Sequence, residues 1–195
     1  MQHSLRRAPR RRDAIGRARH RAGLTLIEVL CALTILMLSV LGFAQAITAS
    51  ARNAQSTKER TLATQAARRM LEEIEANVFA EAFWRYNDFA NDDPGGVGTA
   101  QGSRFAVPGL ALQAGDADGF AGEIVFPTRV GLPGALREDV GDERLGMPRD
   151  LNGDGVIDTL NHGGNYRILP VLVRVRWRGA AGDSVVELRT LLGNY

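Results

Sequence analysis

Cysteine is almost missing from this sequence. Of 195 residues, one is Cys. No disulfide can close within the chain, and no zinc site can be built from its thiolates. The lone Cys31 is expected to pack as a small apolar residue. Charge is missing over a long stretch, since no residue from 29 to 51 is charged. That stretch has no proline and one glycine, Gly42. Catalytic patterns are missing as well. There is no Ser/His/Asp arrangement, no phosphate-cradling glycine loop and no pair of carboxylates in a helix or strand context. The chain is therefore expected not to be an enzyme.

What is present is distributed unevenly. Residues 1–23 hold eight Arg and one Asp, a net +7, whereas residues 24–195 hold 16 basic and 21 acidic residues, a net −5. The high pI of about 9.1 thus belongs mostly to the first residues. The run "RRAPRRR", Arg6 to Arg12, adjoins the apolar stretch, and no aromatic residue interleaves it. It reads as a cytoplasmic topology signal rather than a nucleic-acid site. The 23 uncharged positions from Val29 to Ala51 make about 34 Å of helix. That exceeds the roughly 20 residues a bilayer crossing needs. A spanning helix with a cytoplasmic N-terminus is expected. A secretory signal cut at "AQA", Ala44 to Ala46, is the rival. It is disfavoured because the run is longer than a usual ~7–15-residue signal core and Glu28 stands at its threshold.

The stretch "GLTLIE", Gly23 to Glu28, resembles the leader signal of type IV pilins and type II secretion pseudopilins. The resemblance implies that a prepilin peptidase cuts between Gly23 and Leu24. Leu24 would then be N-methylated, and Glu28 would be the fifth residue of the mature chain. One departure is Leu24, where the family most often carries Phe. A charge at membrane depth is usually paired and functional. Cleavage would free an α-amino group on Leu24, with a pKa near ~8 in model compounds. In a filament the Glu28 carboxylate can meet that group on a neighbouring subunit, offsetting the desolvation of both and fixing axial register.

The helix is expected to run on from Leu24 to about Phe83, because residues 50–83 contain no Pro or Gly. Leu62, Ala66, Met70, Ile74 and Val78 recur at i+4 and predict one apolar stripe. Arg68, Arg69, Glu72, Glu73 and Glu75 fall largely off it. The resemblance implies an α+β fold, the pilin lollipop: a long N-terminal helix packed on a small antiparallel sheet. The organisation read from this is a cleaved leader at 1–23, a transmembrane and filament-core segment at 24–51, an amphipathic periplasmic half at 52–84 and a head at 85–195. "AARRMLEEIEA" is also similar to the corresponding region of minor pilins and I-subunit pseudopilins.

Residues 87–119 are dense in Asn, Asp and Gly and read as loop. "RFAVPGLAL" and "GEIVFPTRV" are strand candidates. "YRILPVLVRVRWRG" alternates from Val171 to Arg178, a turn follows, and "SVVELRTLL" completes a predicted hairpin. It resembles the last hairpin of pseudopilin and minor pilin heads. Leu172 breaks the alternation, as at a strand's beginning, and Trp177 is expected to be a core or sheet-face residue rather than a ligand platform.

"DLNGDGVID" places Asp150, Asn152 and Asp154 at alternate positions, then Gly155, the Val156 carbonyl and Asp158. This order opens an EF-hand-type calcium loop, in which a hard cation relieves the repulsion of crowded carboxylates. It resembles dockerin and thrombospondin-type loops too. Asn161 stands where such a loop usually has its bidentate acid, and Asp139, Asp142 or Glu143 are candidates to replace it. The lone His162 is expected to be solvated. The implied partners are prepilin peptidase, other pilins or pseudopilins and an inner-membrane assembly platform, with no nucleic acid. The alternative is a membrane-anchored periplasmic domain with a calcium-dependent binding surface.

Overall fold

The computed structural model describes residues 23–180 and 182–193. The Arg-rich residues 1–22, which fall in the segment read as a leader, lie outside the described residues. The chain forms two compact units, Met1–Ala46 and Ile47–Tyr195.

Helix α1 spans Leu26–Ala76 and α2 spans Phe79–Tyr86. The first part of α1 is apolar enough to cross a membrane, and none of that window is buried. Leu30, Leu33, Ile35, Leu36, Met37 and Phe43 are all exposed, as is Cys31. Such a surface needs lipid or other helices around it.

The expected single helix to Phe83 is interrupted at Asn77 and Val78. No Pro or Gly marks the break. The Asn77 side chain donates to the Glu73 carbonyl at 2.8 Å and to the Tyr86 hydroxyl at 2.7 Å. An amide side chain here takes over a carbonyl that the helix leaves free at its end. The buried positions of α1 are Glu59, Ala63, Ala67, Met70 and Ile74. The expected stripe is therefore rotated: Met70 and Ile74 stay in it, Ala63 and Ala67 replace Leu62 and Ala66, and Val78 is exposed. Alanines at the contact let the helix approach its neighbours closely, which a row scored by hydrophobicity alone does not anticipate.

The sheet is antiparallel in the order β1-β2-β3-β4: β1 Arg104–Phe105, β2 Gly122–Val125, β3 Ile168–Gly179 and β4 Gly182–Gly193. The predicted final hairpin is thus present, while the two earlier strands are much shorter than their segments. Gly122 stands opposite Phe105, and a Cβ there would lie 2.3 Å from the Phe105 ring. The ring fills the space over the glycine. Leu172 is not at the strand's start, which is Ile168. It is buried, and the short 3-10 turn Glu143–Leu145 packs on the same strand. Pro170 costs the hairpin nothing. Its neighbours at even positions, Arg176 and Arg178, send their N–H groups away from β4, to the carbonyls of Ala121 and Ala111. Pro170 occupies the same phase, where no ladder bond to β4 is lost.

Trp177 is 3% exposed and donates its Nε1–H to Glu59 at 3.3 Å, as the alternation predicts for a core-facing residue. Glu59 also accepts from Gln55 at 2.8 Å and from the Ala180 N–H at 3.2 Å. The Gln55 hydrogen bond holds the Glu59 carboxyl below its usual range against the effect of burial, with Ala180 and Trp177 reinforcing it. A depressed folded-state pKa contributes stability above the unfolded value that is lost as pH falls. Between about pH 5 and 3, melting of Glu59→Gln is expected to fall less steeply than that of the parent chain. Parallel acid slopes would rule this out.

Candidate processing site and acidic loop

Gly23 and Leu24 are exposed, and α1 begins just after them. Thr25 accepts the Glu28 N–H on its hydroxyl at 3.3 Å and on its carbonyl at 3.1 Å. Thr25 and Glu28 stand three residues apart, the spacing of a capping box. Glu28 lies in the first turn, where a carboxylate also meets the positive end of the helix dipole. Its side chain is exposed in the single chain, like the apolar surface that follows. The peptide bond after Gly23 thus precedes a helix that starts with an acid in its first turn.

The loop at 150–158 is a chain of short local hydrogen bonds. Asp150 accepts the Gly153 and Gly155 N–H groups at 2.6 and 2.7 Å. Asn152 accepts from Asp154 N at 2.8 Å, and Asp154 from Val156 N at 2.8 Å. Gly155 has φ +87°, and a Cβ there would meet no atom within 4 Å, so backbone conformation and not space calls for glycine. The Gly155 N–H bond, then that of Gly153, hold the Asp150 carboxyl below its usual range. Each carboxylate keeps lone pairs free after these bonds.

Beneath this loop lies Glu138, with no exposed surface. One of its oxygens accepts the Leu151 and Asn152 N–H groups at 2.7 and 3.3 Å, and the other the Asp158 N–H at 3.2 Å. His162 is 2% exposed, not solvated as expected. Its Nε2 lies 2.9 Å from Asp158 and 3.6 Å from Glu138. Burial lowers the His162 pKa, but the Asp158 hydrogen bond and the Glu138 charge outweigh it and raise the ring above its ordinary value. Among the described residues, the ligand-type groups that converge within 4.8 Å are those of Glu138, Asp158 and His162. Asp150 and Asp154 are not in that group.

Residues 18–44 match the family model of the prokaryotic N-terminal methylation motif. The chain carries the signal of type IV pilins and pseudopilins. No curated protein and no solved structure matches it. The match covers the Gly23–Leu24 junction, Glu28 and most of the apolar run. A signal of this kind ahead of an exposed apolar helix supports membrane anchoring.

The acid that reaches the loop at 150–158 differs from those the sequence offered. Asp139 is bound by Arg129 and Arg137. Asp142 pairs with Arg144 at 2.7 Å, and Glu143 is exposed. The preceding residue, Glu138, comes in instead. The only sequence signal for it is an acid inside "GALREDV" two residues after an apolar one, Leu136, which is fully buried.

Proposed function

We propose that the chain is a non-enzymatic minor pilin or pseudopilin subunit. Prepilin peptidase cuts it between Gly23 and Leu24, Leu24 is N-methylated, and the product enters a type IV pilus or a type II secretion pseudopilus. Before assembly it sits in the inner membrane, with its N-terminus cytoplasmic and its head periplasmic. Other pilins or pseudopilins and the assembly platform are its partners. The observation that carries this reading is the methylation motif at residues 18–44, set at the start of a helix whose apolar surface is exposed. Glu28 is the assembly residue, paired with the Leu24 ammonium of a neighbour. Intact mass and N-terminal sequencing of the protein extracted from its native membrane test the reading. A chain starting at Leu24 is expected. A start at Met1 would leave an anchored binding domain, and a start at Ile47 a secreted one.

Calcium bound by Asp150, Asn152, Asp154, the Val156 carbonyl and Asp158 would hold the loop of the head. The all-oxygen donor set and the left-handed Gly155 suit such an ion, whose charge would offset the repulsion as the Asp150 and Asp154 carboxylates close in toward Asp158. Millimolar calcium is then expected to raise the melting temperature of the full chain in detergent, and chelator to reverse the rise. Asp154→Ala should abolish the calcium dependence while leaving the calcium-free melt nearly unchanged, because its carboxylate is exposed. A melt indifferent to calcium would make the loop a metal-free surface turn.

A further inference from the structure

The two edges of the sheet are unequal. β1 has two residues, and its Arg104 is held by Asp118 at 2.8 Å and Asp88 at 3.7 Å. It is the short, charged edge that proteins use to discourage pairing. β4 has twelve residues and no proline. Arg176 stands opposite Val185 and turns its N–H away from β4, so Val185 turns its own backbone groups away from β3. Glu187, Arg189 and Leu191 follow in the same phase. None of these four N–H groups has a partner among the described residues. The open edge from Val185 to Leu191 is about 24 Å long at the usual rise.

The side chains along it are not protective on both faces. On the core face, Val186, Leu188 and Leu192 are only partly buried and form the margin of the core. On the other face Val185 and Leu191 are exposed. Next to Leu191 is a cavity of about 400 Å³ lined also by Leu145 and three arginines, Arg144, Arg149 and Arg189, with no acid in its lining. Arg144 is already bound to Asp142 and lies 3.6 Å from Glu187, which also holds Arg174. Arg189 takes part in no ion pair among the described residues.

We propose that β4 is a docking edge for an extended segment of another protein that carries acidic side chains. The segment adds as a fifth strand. Its backbone pairs with Val185, Glu187, Arg189 and Leu191, and its apolar side chains cover Val186, Leu188 and Leu192. Its acids face Arg189 and the arginine-lined cavity. Main-chain pairing supplies affinity in such an arrangement, and side-chain positions supply selectivity. The inference does not depend on cleavage at Gly23 or on filament entry.

The test uses the full chain in detergent and a capped seven-residue peptide alternating glutamate and valine. Saturating peptide is expected to slow amide exchange at Val185, Glu187, Arg189 and Leu191 by about tenfold or more. A lysine–valine peptide should bind about tenfold more weakly, and Arg189→Glu should weaken the glutamate peptide about as much without changing the melting temperature. A glutamate–valine peptide N-methylated at alternate residues keeps its charge but loses donors, and it should not bind. The proposal fails if β4 exchange is unchanged at millimolar peptide, if the lysine peptide binds equally well, or if the N-methylated peptide still binds.

Discussion

Glu28→Ala is expected to leave the chain cut after Gly23 and to exclude it from the filament. The two outcomes separate because Glu28 has one role within its own helix and a second, proposed one between subunits. Within its own helix it is a first-turn acid three residues after the capping Thr25. That role contributes about 0.3–1 kcal/mol. Between subunits it would be one half of a desolvated pair with the Leu24 ammonium. Removing one partner of such a pair costs about 3–5 kcal/mol, because the other charge stays buried alone. At 1.4 kcal/mol per tenfold, incorporation should fall about a hundredfold or more. The measurement is the ratio of sheared, filament-borne protein to membrane-borne protein, with intact mass reporting cleavage. Thr25→Ala is the control. It removes the cap, at about 1 kcal/mol, and leaves the pair, so it should still assemble. Glu28→Gln should fail like alanine. If Glu28→Gln assembles like the parent, the residue is a helix-start acid and nothing more.

The parts of this fold that were legible in the sequence are those set by local chemistry. An uncharged run with no proline and a single glycine gives one outcome, a long helix. Alternation in β3 and β4 fixed their faces, and Trp177 falls on the core side as its phase requires. Asp-x-Asn-x-Asp-Gly is also local, since each acid bonds an N–H two to five residues on. The misreadings came where distant residues decide. The break at Asn77 is sealed by Tyr86, on the next helix. The stripe of α1 is set by the neighbours that Ala63 and Ala67 admit. His162 is drawn into the core by Asp158 and Glu138, and Glu138 reaches N–H groups 13 to 20 residues away. No periodicity or spacing rule carries such contacts.

That buried carboxylate leads to the second large effect. Glu138→Ala would leave the N–H groups of Leu151, Asn152 and Asp158 without their acceptor. A buried donor left unpaired costs about 1–3 kcal/mol. With some relaxation toward water, a total loss of about 3–5 kcal/mol is expected, comparable to breaking a buried charge network. The damage should spread past the loop. The carbonyl of Leu151 accepts the Arg167 and Ile168 N–H groups at 2.7 and 3.0 Å, and Ile168 is the first residue of β3. Leu151 itself has no exposed surface. Amide exchange should therefore quicken at Leu151, Asn152 and Asp158 and also at Arg167 and Ile168, while the distal hairpin near Trp177 keeps its protection. Glu138→Gln preserves shape and one acceptor oxygen, so it should lie between the parent and alanine in thermal melts. Because Glu138 anchors the loop whether or not an ion is present, the loss should persist in chelator. A Glu138→Ala chain that melts with the parent in chelator would mean that water satisfies these amides, and that the loop holds its shape through Asp150 and its own short turns.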